Sequence, residues 1–217
     1  HVDVLYANAA IGYLNAGSID FADRTLDEVH DKVQMANCLL GFSQVFLRDN
    51  ENEESLDALE ESYAILKSQE ETEIRDTKAR NQMFSNIAIQ FARLEKIERA
   101  VEIAHENEDE GLTTMALTNI AQLCILQGKD DLADETLKGI EADNKKLTAL
   151  IAMSDAQNQA ENKGKAVELL NEAEALVESI PQFIARAETQ NELAKRYAFY
   201  GENQKSRELA SQSLQTI

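Results

Sequence analysis

Apolar residues recur along this chain at spacings of three and four, the pattern of a helix with one buried stripe. The stretch LTNIAQLCILQGKDDLADETL, residues 117–137, shows it most clearly. Two apolar-periodic segments flank Gly128. Glycine tolerates the left-handed backbone conformation that ends many helices. Ala121 and Ala133 are small where large apolar residues are the norm. Two helices joined by a tight turn are predicted, meeting closely at these two small residues.

The arrangement repeats. First-helix slots equivalent to Ala121 are Ala10, Ser43, Ala88, Ser154 and Ala194. Twelve residues after each slot lies a second small residue: Ala22, Ser55, Ala100, Ala133, Ala166 and Ser206. All twelve positions are Ala or Ser, although these make up only 40 of 217 residues. The residue before the first slot is apolar in each copy: Ala9, Phe42, Ile87, Ile120, Met153 and Leu193. Three residues after the slot come Tyr13, Phe46, Phe91, Cys124, Gln157 and Tyr197, mostly bulky. The turn slot holds Gly17, Asn50, Glu95, Gly128, Glu161 and Gly201, and the two glutamates depart from the pattern. Intervals between copies are 33, 45, 33, 33 and 40 residues. A period of this length signals a stack of supersecondary units, since a lone hairpin cannot bury its apolar face.

These residues resemble the tetratricopeptide repeat. Leu117, Ile120, Ala121, Cys124, Ala133 and Leu137 follow its pattern. So do Tyr6, Ala9, Ala10, Tyr13, Ala22 and Leu26, and Phe84, Ile87, Ala88, Phe91, Ala100 and Ala104. The chain departs from the family in having no Trp, almost no closing Pro and a 33-residue unit. Ankyrin repeats lack support because their T-P-L-H-x-A signature is absent. The resemblance implies an all-α, right-handed α-solenoid of about six helix-turn-helix repeats, forming a single domain over residues 1–217. The units fall near 3–34, 36–78, 81–111, 114–146, 147–184 and 187–217. The longer intervals, residues 63–80 and 174–186, are expected to lengthen helices around a loop. Pro181 fits the first turn of the helix that runs to Tyr200.

Composition agrees with helix and limits function. Ala, Leu, Glu, Lys and Gln dominate, with one Pro and eight Gly. The net charge of −19 repels phosphate backbones and anionic lipid, so neither nucleic acid nor membrane is an expected partner. That charge also sets the chain apart from RNA-binding pentatricopeptide repeats, which are basic. No apolar run reaches the length of a membrane span. Residues 51–76 carry ten acids and two bases, net −8, and read as a solvated face. The chain begins at His1 and enters helical pattern directly, with no basic leader segment. It reads as an excised or processed chain.

Candidate chemistry is sparse. Of the three histidines, His30 is expected near a helix end, and none has a second ligand at metal spacing. Residues 49–60, DNENEESLDALE, have the acids of a calcium loop but Glu54 at its obligatory glycine. They are expected to form a turn and a helix. NKGKAV, residues 162–167, lacks the second Gly and the Ser/Thr of a P-loop. Cys38 and Cys124 lie in first helices two repeats apart and are expected as buried free thiols, which suits a cytoplasmic setting. No catalytic residue, metal site or cofactor is assigned, and the chain is not expected to be an enzyme.

In the family it resembles, first helices line a concave groove. Carried over, that geometry gives Ile11, Leu14, Gln44, Leu47, Arg48, Ser85, Ile89, Arg93, Thr118, Gln122, Asn158 and Lys195 as groove residues. With Asp155 included, Arg48, Arg93 and Lys195 leave them at only +2 in a chain of net charge −19. An apolar strip interleaved with Gln, Ser, Thr and Asn suits a peptide or helix segment of a partner protein. Arg48 and Arg93 share a slot in adjacent units and are expected to project side by side to receive a carboxylate. Two other readings are open: a self-assembling structural module, and a regulatory arm of a larger protein.

Overall fold

The computed structural model describes residues 2–68 and 77–216. Within them lie twelve α-helices and one 3-10 turn, with no strand. They form six hairpins. The first pairs α1 (Val2–Asn15) with α2 (Ile19–Leu26), and the second α3 (Lys32–Arg48) with α4 (Asn52–Lys67). The third pairs α5 (Thr77–Arg93) with α6 (Ile97–Ala104), and the fourth α7 (Glu110–Leu126) with α8 (Asp130–Lys138). The fifth pairs α9 (Asp143–Gln159) with α10 (Lys163–Ala175), and the sixth α11 (Phe183–Tyr200) with α12 (Asn203–Thr216). The chain divides into two compact units, His1–Ala116 and Leu117–Ile217, the boundary falling inside α7.

All six hairpin turns are built alike. Among the described residues, those with positive φ are Gly17, Asn50, Glu95, Gly128, Glu161 and Gly201, the six turn slots of the repeat. After each, a backbone N–H reaches back to the residue three past the small slot. Ser18 donates to Tyr13, Glu51 to Phe46, Lys96 to Phe91, Lys129 to Cys124, Asn162 to Gln157 and Glu202 to Tyr197, at 2.8–2.9 Å. A second bond closing a smaller ring lies inside each, such as Gly128 to Ile125 at 2.9 Å and Glu161 to Asn158 at 3.0 Å. This double bond is the Schellman motif, which satisfies the orphan carbonyls of a helix end. Glu95 and Glu161 adopt the left-handed conformation at φ 62° despite their side chains. Closure of the hairpin overrides a local preference worth about 1 kcal/mol.

The small slots are where the helices of a hairpin touch. Of the twelve, only Ser206 is not fully buried. In the second hairpin the Ser43 and Ser55 hydroxyls lie 2.9 Å apart, and Ser55 Oγ donates to the Ser43 carbonyl at 2.7 Å. In the fifth, Ser154 Oγ donates to the Ala166 carbonyl at 2.9 Å. Larger residues around the slots, including Phe84, Ile87, Phe91, Ile120 and Met153, fill the core. Stacking within the first unit uses the same economy. Gly41 of α3 faces Ile11 of α1 so closely that a methyl group there would lie 2.5 Å from Ile11 Cδ1.

Local signals set several helix starts. Asp31 caps α3 by accepting from Gln34 N at 2.9 Å, and Asp109 accepts from Leu112 N at 3.0 Å at the start of α7. The long intervals do lengthen second helices: α4 has 16 residues and α10 has 13, against 8 in α2 and α6. Pro181 corrects one expectation. It lies before the first turn of α11, whose N-cap is Gln182. A 3-10 turn at Val177–Ser179 leads into it, and Arg186 anchors the connection by donating to the Ile180 carbonyl at 2.8 and 3.0 Å. Residues 49–60 form the expected turn and the start of α4. Glu51, Glu53, Glu54, Asp57, Glu60 and Glu61 are all exposed, while Glu70, Glu71, Glu73 and Asp76 lie outside the described residues. Cys38 and Cys124 are free and buried.

Candidate interaction surface

Each first helix presents a regular set of positions, and their burial sorts them. Residues three before the small slot (Ala7, Leu40, Ser85, Ile151) are buried in four of the six hairpins. Those four after it include buried Leu14, Ala92 and Ile125. Residues one after the slot are Ile11, Gln44, Ile89, Gln122, Asp155 and Lys195, and all are half-buried or exposed. Those five after it are Asn15, Arg48, Arg93, Leu126, Gln159 and Phe199, and all are exposed. The helix therefore gives two turns of its surface to the stack and leaves an adjoining stripe open.

In the first unit the open stripe holds Ile11, Gln44, Leu47, Arg48, Ile89 and Arg93. Leu14 and Ser85 are not on it. Leu14 packs in the core with Ala10, Ala22 and Phe42. Ser85 is fully buried, accepting from Asn107 Nδ2 at 3.1 Å and donating to the Leu112 carbonyl at 3.4 Å. Both sit where the next hairpin stacks, so the helix turns them away from solvent.

Arg48 also differs from expectation. Its guanidinium grips Asp49 through two bonds, Nε to Oδ1 at 2.8 Å and Nη2 to Oδ2 at 2.9 Å. Nη1 donates to Asn15 of α1 at 2.7 Å. The contact with Arg48 holds the Asp49 carboxyl below its ordinary value. Arg48 is thus paired with the residue that follows it. Arg93 is exposed and lines a cleft of about 510 Å³ between the turns of the second and third hairpins. Leu47, Leu56, Leu94 and Lys96 share that cleft with Asn52, Glu53 and Glu95.

In the second unit Thr118, Gln122 and Asn158 are half-buried and Lys195 is exposed. Gln122 donates to the Ala152 carbonyl at 3.1 Å, tying α7 to α9. It also lines a pocket of about 250 Å³ with Asn119, Leu123, Leu126, Asp155, Ala156 and Gln159. Asp155 is held by Arg196 at 2.9–3.2 Å and accepts from Tyr200 Oη at 2.9 Å. Its charge is compensated by a cation of the following hairpin. Asn15, Leu126 and Gln159 are open-stripe residues missed from the sequence. The signal was present, because they share the slot of Arg48 and Arg93.

No family model matches the chain, and no curated protein matches it. Among solved structures it is similar to a kinesin light chain of Podosopora anserina with nearly identical TPR-like repeats. The two are 17% identical over 86% of this chain and 96% of that one, with a TM-score of 0.41. It is also similar to Ton1535 of Thermococcus onnurineus NA1, at 14% identity over 100% of this chain and 77% of that one, with a TM-score of 0.43. The six identical turns and the buried small slots carry the architecture on their own: an all-helical chain of hairpin repeats resembling tetratricopeptide repeats.

Proposed function

We propose that this helical-repeat scaffold binds a segment of a partner protein along the open stripe of its first helices, and that it acts by docking rather than by catalysis. One observation carries the reading. The positions one and five after each small slot stay half-buried or exposed, and in the first unit they hold Ile89, Gln44, Arg48 and Arg93, with half-buried Leu47 beside them and Ile11 packed in part on Gly41. A surface kept only for solubility would resemble α4, whose exposed positions include Glu54, Asp57, Glu60 and Glu61. Apolar side chains interleaved with amide and guanidinium groups suit a peptide or helix, with apolar anchors giving affinity and polar groups fixing register. Arg93 and Lys96 fit an acidic side chain at one end of the bound segment. No described helix is long and apolar enough to cross a membrane. The two buried free thiols fit a reducing, cytoplasmic setting.

The test is to select peptides on the 217-residue chain and titrate the best against variants. Arg93→Ala removes a charge-assisted contact of about 1.5–3 kcal/mol and should weaken binding about tenfold or more. Arg48→Ala should cost less, because Asp49 already satisfies that guanidinium. Undiminished affinity in both Arg93→Ala and Ile89→Ala would contradict the reading.

A further inference from the structure

A row of opposite charges laces the second hairpin to the third, and it stops short. Glu53, Glu60 and Lys67 follow one another on α4 at intervals of seven, which puts them on one face of the helix. Lys67 pairs with Glu106, and Glu60 with Arg99 at 3.3 Å. Arg99 and Glu106 are themselves seven apart in the third hairpin. Continued to Glu53, the row meets Lys96, the N-cap residue of α6, and Arg93, the last residue of α5. The signs are complementary, as in the two pairs before. Yet neither cation pairs with Glu53, and none of the three has an ion pair elsewhere among the described residues. All three are exposed.

The cleft of about 510 Å³ stands where this third pair would close. Glu53 lines it from the second hairpin, and Arg93 and Lys96 from the third, whose side stays at net +1 after Glu95 is counted. Half-buried Leu47, Leu56 and Leu94 line it too. The volume lies in the range of ligand sites, about 300–1,000 Å³. Such a lining selects its occupant. An anion alone would meet Glu53, and a cation alone would meet Arg93 and Lys96. A purely apolar surface would cover three charges and leave them without partners.

We infer, on the strength of the docking reading above, that this cleft binds a stretch of the partner protein in which large apolar residues are flanked by a base on one side and an acid on the other. The base sits beside Glu53, the apolar residues lie against the three leucines, and the acid lies beside Arg93 and Lys96. The bound stretch completes the row of charge pairs that α4 and the third hairpin leave open. Affinity comes from covering Leu47, Leu56 and Leu94. The charges at the rim set partner choice and register more than affinity, and salt weakens their share.

Four synthetic peptides test this on the isotopically labelled 217-residue chain, read by the amide shifts of Glu53, Leu56, Leu94 and Lys96. Three have two central leucines, flanked by lysine and glutamate, by glutamate on both sides, or by lysine on both sides. The fourth keeps the mixed charges and has serines for leucines. At low salt the mixed-charge leucine peptide should bind about threefold or more tighter than either single-charge peptide, and the serine peptide should not bind. Charge swaps should swap the preference. Glu53→Lys should favour the all-glutamate peptide, and the double variant Arg93→Glu/Lys96→Glu the all-lysine one, with helical content checked by circular dichroism. The wild-type ranking stands as a test by itself if a variant loses helicity. No binding by the mixed-charge peptide, equal affinity for all three leucine peptides, or a ranking unchanged in both folded variants would each overturn the inference. Ile89→Ala separates it from the docking reading, because Ile89 lies on the stripe and outside the cleft. Weaker binding of a selected peptide in Ile89→Ala beside a flat ranking would overturn the cleft inference and leave the stripe standing. An undisturbed ranking with Ile89→Ala silent would uphold the cleft and count against the stripe.

Discussion

Ser154 Oγ donates to the carbonyl of Ala166, twelve residues along the chain, at 2.9 Å. The bond ties the two small slots of the fifth hairpin, and Ser55 makes the same kind of tie to Ser43 in the second. Where both slots are alanine, contact alone closes the pair. Ala121 and Ala133 are each 1% exposed. Ala121→Leu and Ala133→Leu should each destabilise by about 1–3 kcal/mol through overpacking. Ser154→Ala should cost about 1 kcal/mol, the net worth of one hydrogen bond. Urea midpoints measure all three, and an unchanged midpoint for both leucine variants would mean that these slots are not points of close approach.

The turns give a prediction of opposite sign. Glu95 and Glu161 hold φ 62°, a conformation that L side chains resist. Glu95→Gly and Glu161→Gly should each raise stability by about 0.5–1 kcal/mol, and Gly128→Ala should lower it by a similar amount. Thermal melts of the three variants decide this. Destabilisation by both glycine variants would show that the glutamate side chains contribute more than the backbone strain costs.

Gly41 and Ile11 should be coupled. Alanine favours helix over glycine by about 1 kcal/mol. Yet the added methyl would meet Ile11 Cδ1 at 2.5 Å and Cγ1 at 2.9 Å. Gly41→Ala should therefore stabilise the chain in an Ile11→Ala background and fail to do so in the wild type. A double-mutant cycle reads the difference, expected at about 0.5 kcal/mol or more. Additive effects would place Ile11 away from α3.

Cys38 should be silent toward thiol reagents. Burial pushes its thiol up to about 12 from the ordinary 9.0, and Sγ lies 3.5 Å from the Ala7 carbonyl. The folded state favours the neutral thiol, so its contribution to stability is complete below pH 9.0 and is lost as pH climbs toward about 12. Alkylation of Cys38 near pH 9 should track global unfolding, and should accelerate in variants such as Ala133→Leu. Rapid alkylation of the stable native chain would place the thiol at the surface.

Most of the fold was legible in the sequence because close packing permits few residue types. Only Ala and Ser fit the slots, and the turns sit at a fixed distance after them. Glu95 and Glu161 show that spacing, more than residue identity, sets the turn: the closing N–H bonds form at the same place with or without glycine. The site was less legible. Which part of a first helix faces its neighbour depends on a rotation of one residue, about a quarter turn. That rotation separates buried Leu14 from exposed Asn15, and buried Ser85 from half-buried Asn86. The Arg48–Asp49 pair formed between chain neighbours at a helix end, where no helical spacing rule applies. Pro181 stands two residues before α11 rather than in its first turn, because the Gln182 cap comes between them.

The claim that the open stripe is a docking surface is tested most directly by mapping backbone amide shifts on titrating a selected peptide into the isotopically labelled chain. The account predicts that the largest changes cluster at Gln44, Leu47, Ile89 and Arg93 in the first unit, with α4 positions Asp57, Glu60 and Glu61 unmoved. Changes centred on the exposed face of α4, or on Tyr6 and Tyr13 of α1, would contradict it.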